Sequence, residues 1–236
     1  KTIEHRDIIE NTVSAISEQL NTSSANGENI YLIYQYFTPK IKQRIDEMQY
    51  CMKKNLQNTS FKKIFLLNER KYTREELGLT QYTHDIIDAR VEQVVLGSRL
   101  KFKDVYDFVE KKKLMGFVVV INSDIFFDDT IKILNKTDLH LHKSMIGLLR
   151  YEYRKYMVDL SDARLFGPRG DSQDSWIFHT DYNVEKNYRG GFDIYFGQPG
   201  CDNKLLYLYK TLGYKIYNDP LTIKSYHLHA EVGRNY

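Results

Sequence analysis

The sequence is poor in the features that mark many functional classes. Its 236 residues include only two cysteines, Cys51 and Cys201, far apart and in neither a zinc-binding nor a disulfide-framework spacing. That usage fits a reducing compartment and a cytoplasmic domain, with a single Cys51–Cys201 disulfide left open. No apolar run approaches eighteen residues and no signal-peptide profile is present, so no segment reads as crossing a membrane. Charge of one sign is not concentrated either. The 34 basic and 31 acidic residues leave a formal charge of +3, and the lack of a basic stripe argues against a nucleic-acid partner. The densest basic cluster, Lys111-Lys112-Lys113, ends an expected helix, where cations complement the dipole. Internal repeats and low-complexity segments are missing as well. The first residue is Lys1 rather than Met, which suggests a piece of a longer chain.

What is there is enough apolar mass for one large domain: 42% of residues are hydrophobic and 28% charged. Nineteen tyrosines and twelve phenylalanines can stack on bases and sugar faces, but they also fill cores. Residues 1–20 carry Ile9, Val13, Ile16 and Leu20 at helical spacing, an amphipathic stripe able to form a homodimer. A small, polar linker follows, so residues 1–29 read as helix and linker and residues 30–236 as the compact domain.

The domain is organised around Gly116-Phe-Val-Val-Val-Ile-Asn122-Ser123-Asp124. Phe117 to Ile121 is apolar and rich in β-branched residues, as in a strand buried on both faces. It stops at three small polar residues. Ligands of open α/β sheets bind just beyond the carboxyl ends of the strands, so Asp124 stands where its carboxylate can bind something. Its alternative role is a cap or turn residue. A phosphatase of the haloacid-dehalogenase type would need a second acid two residues on, where this chain has Phe126. Asp128 and Asp129 then open a short helix through Thr130, Ile131, Ile133 and Leu134.

Around that stretch the order is β-α-β. Ile30 to Phe37, Ile64 to Leu67 and Val94 to Leu96 read as strands, with helices over residues 40–57 and from Phe102 to Val109. Residues 71–92 read as a loop and a short helix. Downstream, Met145–Leu149, Ser175–Phe178, Phe192–Phe196, Tyr214–Tyr217 and Thr222–Tyr226 read as strands, and a helix through Leu205, Leu208 and Leu212 ends at Gly213. The loop from Asp162 to Asp171, with Gly167-Pro168 and Arg169-Gly170, reads as a wall of a site or a surface turn. The expected class is α/β: a mixed, mainly parallel sheet flanked by helices.

A strand ending in Asn122-Ser123-Asp124, an acid (Asp202) starting a late helix, then Gly213-Tyr214 with a short strand, and a terminal His227-Leu228-His229 occur in that order. Together they resemble the GT-A-fold nucleotide-sugar-dependent glycosyltransferases over residues 30–229, although the first acid of their Asp-x-Asp motif is Asn122 here. The resemblance implies transfer of a hexose or deoxyhexose from a nucleotide-sugar, such as a UDP-sugar, to a hydroxyl acceptor (a glycan, a protein-linked glycan or another hydroxyl), with inversion and with Mn²⁺ or Mg²⁺. It implies Asp124, His227 and His229 as metal ligands and Asp202 as catalytic base, Asp202 having a helix N-cap as its alternative role. It also implies donor contacts from Gln35, Tyr36, Glu69, Arg99, Asn122, Ser123 and Asp174, with Tyr36 stacking on the base and Arg99 pairing with phosphate. A sugar-phosphate nucleotidyltransferase is the second enzyme reading. It would carry a Gly-rich loop and a lysine soon after the first strand, where this chain has Gln35-Tyr36-Phe37-Thr38-Pro39. A non-catalytic carbohydrate- or protein-binding module is the third reading, and Asn122 is its best support.

Overall fold

A computed structural model of the chain describes residues 27–154 and 159–228. The expected amphipathic helix over residues 1–20 and the terminal His229 lie outside the described residues.

The strands are β1 (Ile30–Tyr34), β2 (Lys63–Asn68), β3 (Val91–Val95), β4 (Phe117–Ile121), β5 (Ile125–Phe127), β6 (Ser144–Leu148), β7 (Arg150–Tyr153), β8 (Arg164–Leu165), β9 (Ser175–His179), β10 (Lys215–Tyr217) and β11 (Ser225–Leu228). The helices are α1 (Lys42–Gln57), α2 (His84–Arg90), α3 (Phe102–Lys112) and α4 (Cys201–Thr211). Seven strands form one sheet in the order β10-β6-β9-β4-β1-β2-β3, in which β9 alone runs antiparallel to its neighbours. The fold is thus the expected α/β class with a mainly parallel sheet.

Period-two alternation divides the core in two. Ile30, Leu32 and Tyr34 of β1 and Phe117, Val119 and Ile121 of β4 pack with Met48, Met52 and Leu56 of α1. Tyr31, Ile33, Val118 and Val120 face the other way, onto Phe102, Val105 and Val109 of α3 and Leu205 and Tyr209 of α4. At the start of β4, Gly116 has φ +126°, and a Cβ there would lie 2.2 Å from the Asn29 carbonyl oxygen. Only glycine lets β4 begin this close to the entry of β1.

A second sheet, β5-β11-β7-β8, stands beyond the carboxyl ends of the parallel strands. Its aromatic face (Phe126, Tyr153, Tyr226) packs with Cys51 of α1. Both cysteines are buried free thiols, so the disulfide left open by the sequence does not form.

Several expected elements differ. Residues 192–196 are no strand. Lys186–Phe192 is a 3-10 helix and Tyr195 makes one isolated bridge to Lys101, because Phe192, Ile194 and Phe196 are spent on the α3/α4 layer rather than on a ladder. The strand expected at Val94–Leu96 begins at Val91, and the one expected to run to Phe37 stops at Tyr34, where the Gln35 side chain turns to the loop after β3. The helix after the central motif is 3-10, Asp129–Lys136, with the Asp128 carboxylate accepting from the Thr130 amide.

Candidate active site

The parallel strands β1, β2 and β4 deliver Gln35, Glu69 and Asn122–Asp124 to one edge of the sheet, with Ser98 and Arg99 just beyond β3. Strand β9 is antiparallel to β4, so the residue before it, Asp174, comes to the same edge. The Asn122 amide N–H donates to the Asp174 carbonyl at 3.1 Å, and the Asn122 side chain donates to the Asp174 carboxylate at 2.7 Å. Strand β6 ends there as well, and Arg150 opens β7 from that point.

Register explains how His227, 103 residues further along, reaches Asp124. After a turn closed by the Ile125 amide on the Asn122 carbonyl, β5 pairs antiparallel with β11, with His227 opposite Ile125. The Leu228 amide closes the ladder on the Asp124 carbonyl at 3.2 Å. On its other side β11 pairs parallel with β7, with His227 beside Glu152. Cross-strand neighbours on one face touch. Accordingly His227 Nε2 lies 2.9 Å from Asp124 Oδ2, and its Nδ1 lies 3.2 Å from Glu152 Oε2.

These contacts belong to a longer alternating chain of charge. Arg44 donates from Nη1 to Glu47 Oε2 at 2.6 Å and from Nη2 to Asp124 Oδ2 at 2.7 Å. Arg150 donates from Nε to Glu152 Oε1 at 2.8 Å, and from Nη1 to Ser172 Oγ at 3.1 Å and to the Asp174 carboxylate. Burial would raise the Asp124 pKa, but the charges of His227 and Arg44 and their hydrogen bonds hold it well below the usual carboxylate range. Burial would likewise raise Glu152, but hydrogen bonding to His227 and the charges of His227 and Arg150 lower it to about 2. Burial pulls the His227 imidazole down, while Asp124 beside it and Glu152 behind it push it up to about 9. At neutral pH the ring is therefore an imidazolium donating to both acids.

The other expected site residues divide. Ser123 is buried beside Asp124. Gln35 joins β1 to the loop after β3, donating to the Ser98 carbonyl and accepting from the Leu100 amide. Arg99 is exposed and donates to the Phe196 carbonyl. Glu69 is exposed at the end of β2. Tyr36 is not a stacking platform. Its ring is 1% exposed and edge-on to Tyr72, its hydroxyl donates to the Glu76 carbonyl, and it continues the Ile30-Leu32-Tyr34 face into the core. The exposed aromatic of that segment is Phe37.

Asp202 lies in the first turn of α4, but the N-cap is Gly200, in a left-handed conformation at φ 79°. Gly200 holds the N-cap position without a side-chain cap, so Asp202 is not the N-cap residue, although its carboxylate still accepts from a first-turn amide. One Asp202 oxygen accepts from the Gln173 amide at 3.4 Å, next in sequence to Asp174, and the other accepts from the Asn203 amide at 2.9 Å. A continuous series of contacts consequently leads from Asp202 through residues 173–174, Arg150, Glu152 and His227 to Asp124.

Sequence reasoning missed Arg44, Glu47, Arg150 and Glu152. Two signals were available. Arg150 and Glu152 alternate with aromatic residues in a strand, where charges on one face need a partner. Arg44 and Glu47 sit three apart on α1, next to its apolar stripe.

The arrangement suits a divalent ion shared with a ligand. Among the described residues no group of three or more His, Cys, Asp or Glu side chains is arranged to hold an ion, and the two side chains at this edge that could offer donors to one are Asp124 and His227. Hard divalent cations accept that pattern, taking one or two protein groups and completing their shell with phosphate oxygens and water. A carboxylate on the far nitrogen of a ligating histidine is the usual way its tautomer is fixed, and Glu152 occupies that place. Glu47 Oε1 is buried with no hydrogen-bond partner, an unspent acceptor beside the same guanidinium. With the ring protonated, the four carboxylates Glu47, Asp124, Glu152 and Asp174 face three cations, Arg44, Arg150 and His227, so an ion taking Nε2 would displace a proton from the ring.

No protein-family model matches the chain, and no curated protein matches it in sequence. In fold it is similar to a crystal structure of GalNAc-T7 with UDP, GalNAc and Mn²⁺, at TM-score 0.53 and 9% identity over 87% of this chain. The fold is GT-A-like. The chain spans 45% of the length of that transferase chain. Two further similar structures are the mannosyltransferase PcManGT from Pyrobaculum calidifontis with GDP-Man and Mn²⁺ (TM-score 0.49, 10% identity, 100% of this chain and 68% of that one) and a 4-diphosphocytidyl-2C-methyl-D-erythritol synthase from Anaerococcus prevotii (TM-score 0.45, 11% identity, 84% and 92%). At these identities the likeness of the GT-A-like domain to them is one of fold. No helix among its described residues is long and apolar enough to cross a membrane.

Proposed function

We propose that this domain is a glycosyltransferase that moves a sugar from a nucleotide-sugar to a hydroxyl acceptor, with a divalent metal ion and with inversion. The observation that carries the reading is the meeting of His227 and Asp124, with Glu152 behind the imidazole, at the edge where the parallel strand ends gather. Asp124 and His227 would hold the ion, which when bound supplies charge neutralisation for the departing diphosphate. Glu152 orients His227 and keeps the hydrogen on Nδ1, leaving Nε2 as the donor atom. Asn122 is committed to Asp174 and orients the loop rather than ligating. Arg99, exposed beyond β3, is the phosphate partner, and Phe37 in place of Tyr36 offers a ring to the base.

Asp202 is assigned as the base. As the acceptor oxygen attacks the anomeric carbon, its hydroxyl proton passes to the Asp202 carboxylate, and the bond from the sugar to the diphosphate oxygen breaks with its electron pair on that oxygen. The GalNAc-T7 structure holds UDP, GalNAc and Mn²⁺, which supports the substrate class.

A thermal-shift panel of nucleoside diphosphates and nucleotide-sugars, with and without Mn²⁺, tests the reading. A ligand bound by the folded state raises its stability as RT ln(1 + [L]/Kd), so the true donor stands out. One nucleotide series is expected to stabilise the domain in the presence of Mn²⁺, and Asp124→Ala is expected to abolish the metal-dependent part while remaining folded. No stabilisation by any of these with Mn²⁺, or an equal shift in the folded variant, removes the proposal. Release of nucleotide on turnover separates a transferase from a binding module.

A further inference from the structure

The atom that the proposed ion would need most is already taken by a cation of the protein. Asp124 Oδ2, the oxygen that faces His227 Nε2, also accepts from Arg44 Nη2 at 2.7 Å. The other arm of the same guanidinium holds Glu47, whose second oxygen is buried and unpartnered. Exposure is uneven across this trio. The Arg44 side chain is 33% exposed, against 13% for Asp124 and 5% for Glu47. The two acids are fixed in the fold, one at the end of β4 and one on α1, whereas the arginine reaches in from the solvent side of the first turn of α1. Of the three it is the most exposed.

Resting on the reading of Asp124 as an ion ligand, we infer that Arg44 is a resident cation of this site beside the His227 ring, and that it makes the site selective for a divalent ion arriving together with a diphosphate over the ion alone. A bare ion competes with Arg44 for Asp124 and leaves the displaced guanidinium with one carboxylate fewer. A diphosphate entering with the ion restores what Arg44 loses. Its oxygens match the planar fork of the guanidinium, and charge-assisted pairs of that geometry are among the strongest hydrogen bonds available. Arg44 thus passes from a protein carboxylate to the ligand, and binding of ion and diphosphate is coupled through one side chain. Such coupling is reciprocal, so it can be read from either ligand.

The experiment is a Mn²⁺ titration of the whole chain, following the free ion by electron paramagnetic resonance, alone and with inorganic pyrophosphate as the diphosphate probe. Arg44→Gln is expected to bind Mn²⁺ alone about tenfold more tightly than the wild type, the loss of roughly one charge-assisted competitor. Arg44→Lys, whose ammonium is a point charge without the fork, is expected to fall between them. Pyrophosphate should strengthen Mn²⁺ binding to the wild type more than to Arg44→Gln, by a similar factor. Should Arg44→Gln not fold, the rank of Arg44→Lys above the wild type carries the test. Mn²⁺ binding that depends on Asp124, shown by its loss in Asp124→Asn, but is no tighter in either Arg44 variant, overturns the role of Arg44 and leaves the proposed function standing. Absence of any Asp124-dependent Mn²⁺ binding, with or without pyrophosphate, overturns both.

Discussion

A carboxylate in the first turn of a helix has an electrostatic reason to be there as well as a chemical one, and Asp202 shows how the two are separated. It complements the helix dipole and accepts from the Gln173 and Asn203 amides, while the N-cap position itself is Gly200, which makes no side-chain cap. Asn at this position keeps one oxygen for one of the two amides, gives up the second acceptor, and can neither carry the charge nor take a proton. Asp202→Asn is therefore expected to fold within ~1 kcal/mol of the wild type, the size of a dipole interaction. It should bind donor normally and lose transfer by ~10²–10⁴-fold, the range for a general base. Near-normal turnover with the true acceptor would return Asp202 to a purely structural role. Single residues are unevenly legible in the sequence. Asp124 is marked by the polar break after an apolar strand. Tyr36 invites a stacking role by its place after β1, yet period two settles it, since it extends the Ile30-Leu32-Tyr34 face that packs into the core. Arg44 carries little signal, because a guanidinium on an amphipathic helix is ordinarily a solvated charge.

The elements that matter most to the site are the ones the pattern shows least. Strand β5 is three residues long, and its place depends on buried side-chain amides of α1 and of its C-cap residue Asn58 rather than on apolar burial alone. Asn55 donates to the Ile125 carbonyl at 2.9 Å and accepts from the Phe127 amide at 3.2 Å, and Asn58 donates to the carbonyls of Phe127 and Asp128. These side chains act as a surrogate strand along the edge of β5 that β11 leaves free. Asn55→Ala leaves one buried carbonyl and one buried N–H without partners. The expected cost is roughly 2–6 kcal/mol, from about 1–3 for each orphaned group. The Phe127 amide, which has lost its acceptor, should also exchange with solvent faster than that of Val119 in β4. Urea unfolding and amide exchange check both expectations, and a loss below ~0.5 kcal/mol would mean that water replaces Asn55 without penalty. Periodicity locates β1, β2, β4 and the helices because each buries a continuous stripe. It cannot locate β5 or β7. Ile125–Phe127 is too short to carry a period, and Arg150–Tyr153 spends its alternate positions on charges rather than on apolar contacts.

Over the whole molecule, sequence order and local pattern are enough for the α/β class, because the run of β-α-β units leaves few ways to cover both faces of a parallel sheet. They do not contain the pairing of Ser225–His227 with Phe127–Ile125, which only the assembled small sheet creates. That long-range closure gives the fold a characteristic response to pH. His227 has its ordinary value of 6.5 raised to about 9 in the folded chain, burial being outweighed by Asp124 and Glu152. A raised folded value means that this group's stabilisation is fully present below pH 6.5 and is lost as pH rises through about 9. Glu152 runs the other way: lowered from 4.5 to about 2, it contributes above pH 4.5 and loses that contribution as pH falls. Asp124, also lowered, has the same sign. The network is thus at full strength between about pH 4.5 and 6.5 and weakens on the alkaline side through His227 alone. A tenfold change in the affinity for one proton is worth about 1.4 kcal/mol, which bounds the loss from about pH 6 to about pH 9 at roughly 3 kcal/mol. The expected result is that metal-free wild type loses up to this much more stability over that interval than His227→Gln, which has no imidazole to titrate, as read from urea midpoints at the two pH values. Parallel curves for the two proteins would mean that the ring is already neutral at the lower pH, and that Asp124 is held by Arg44 without it.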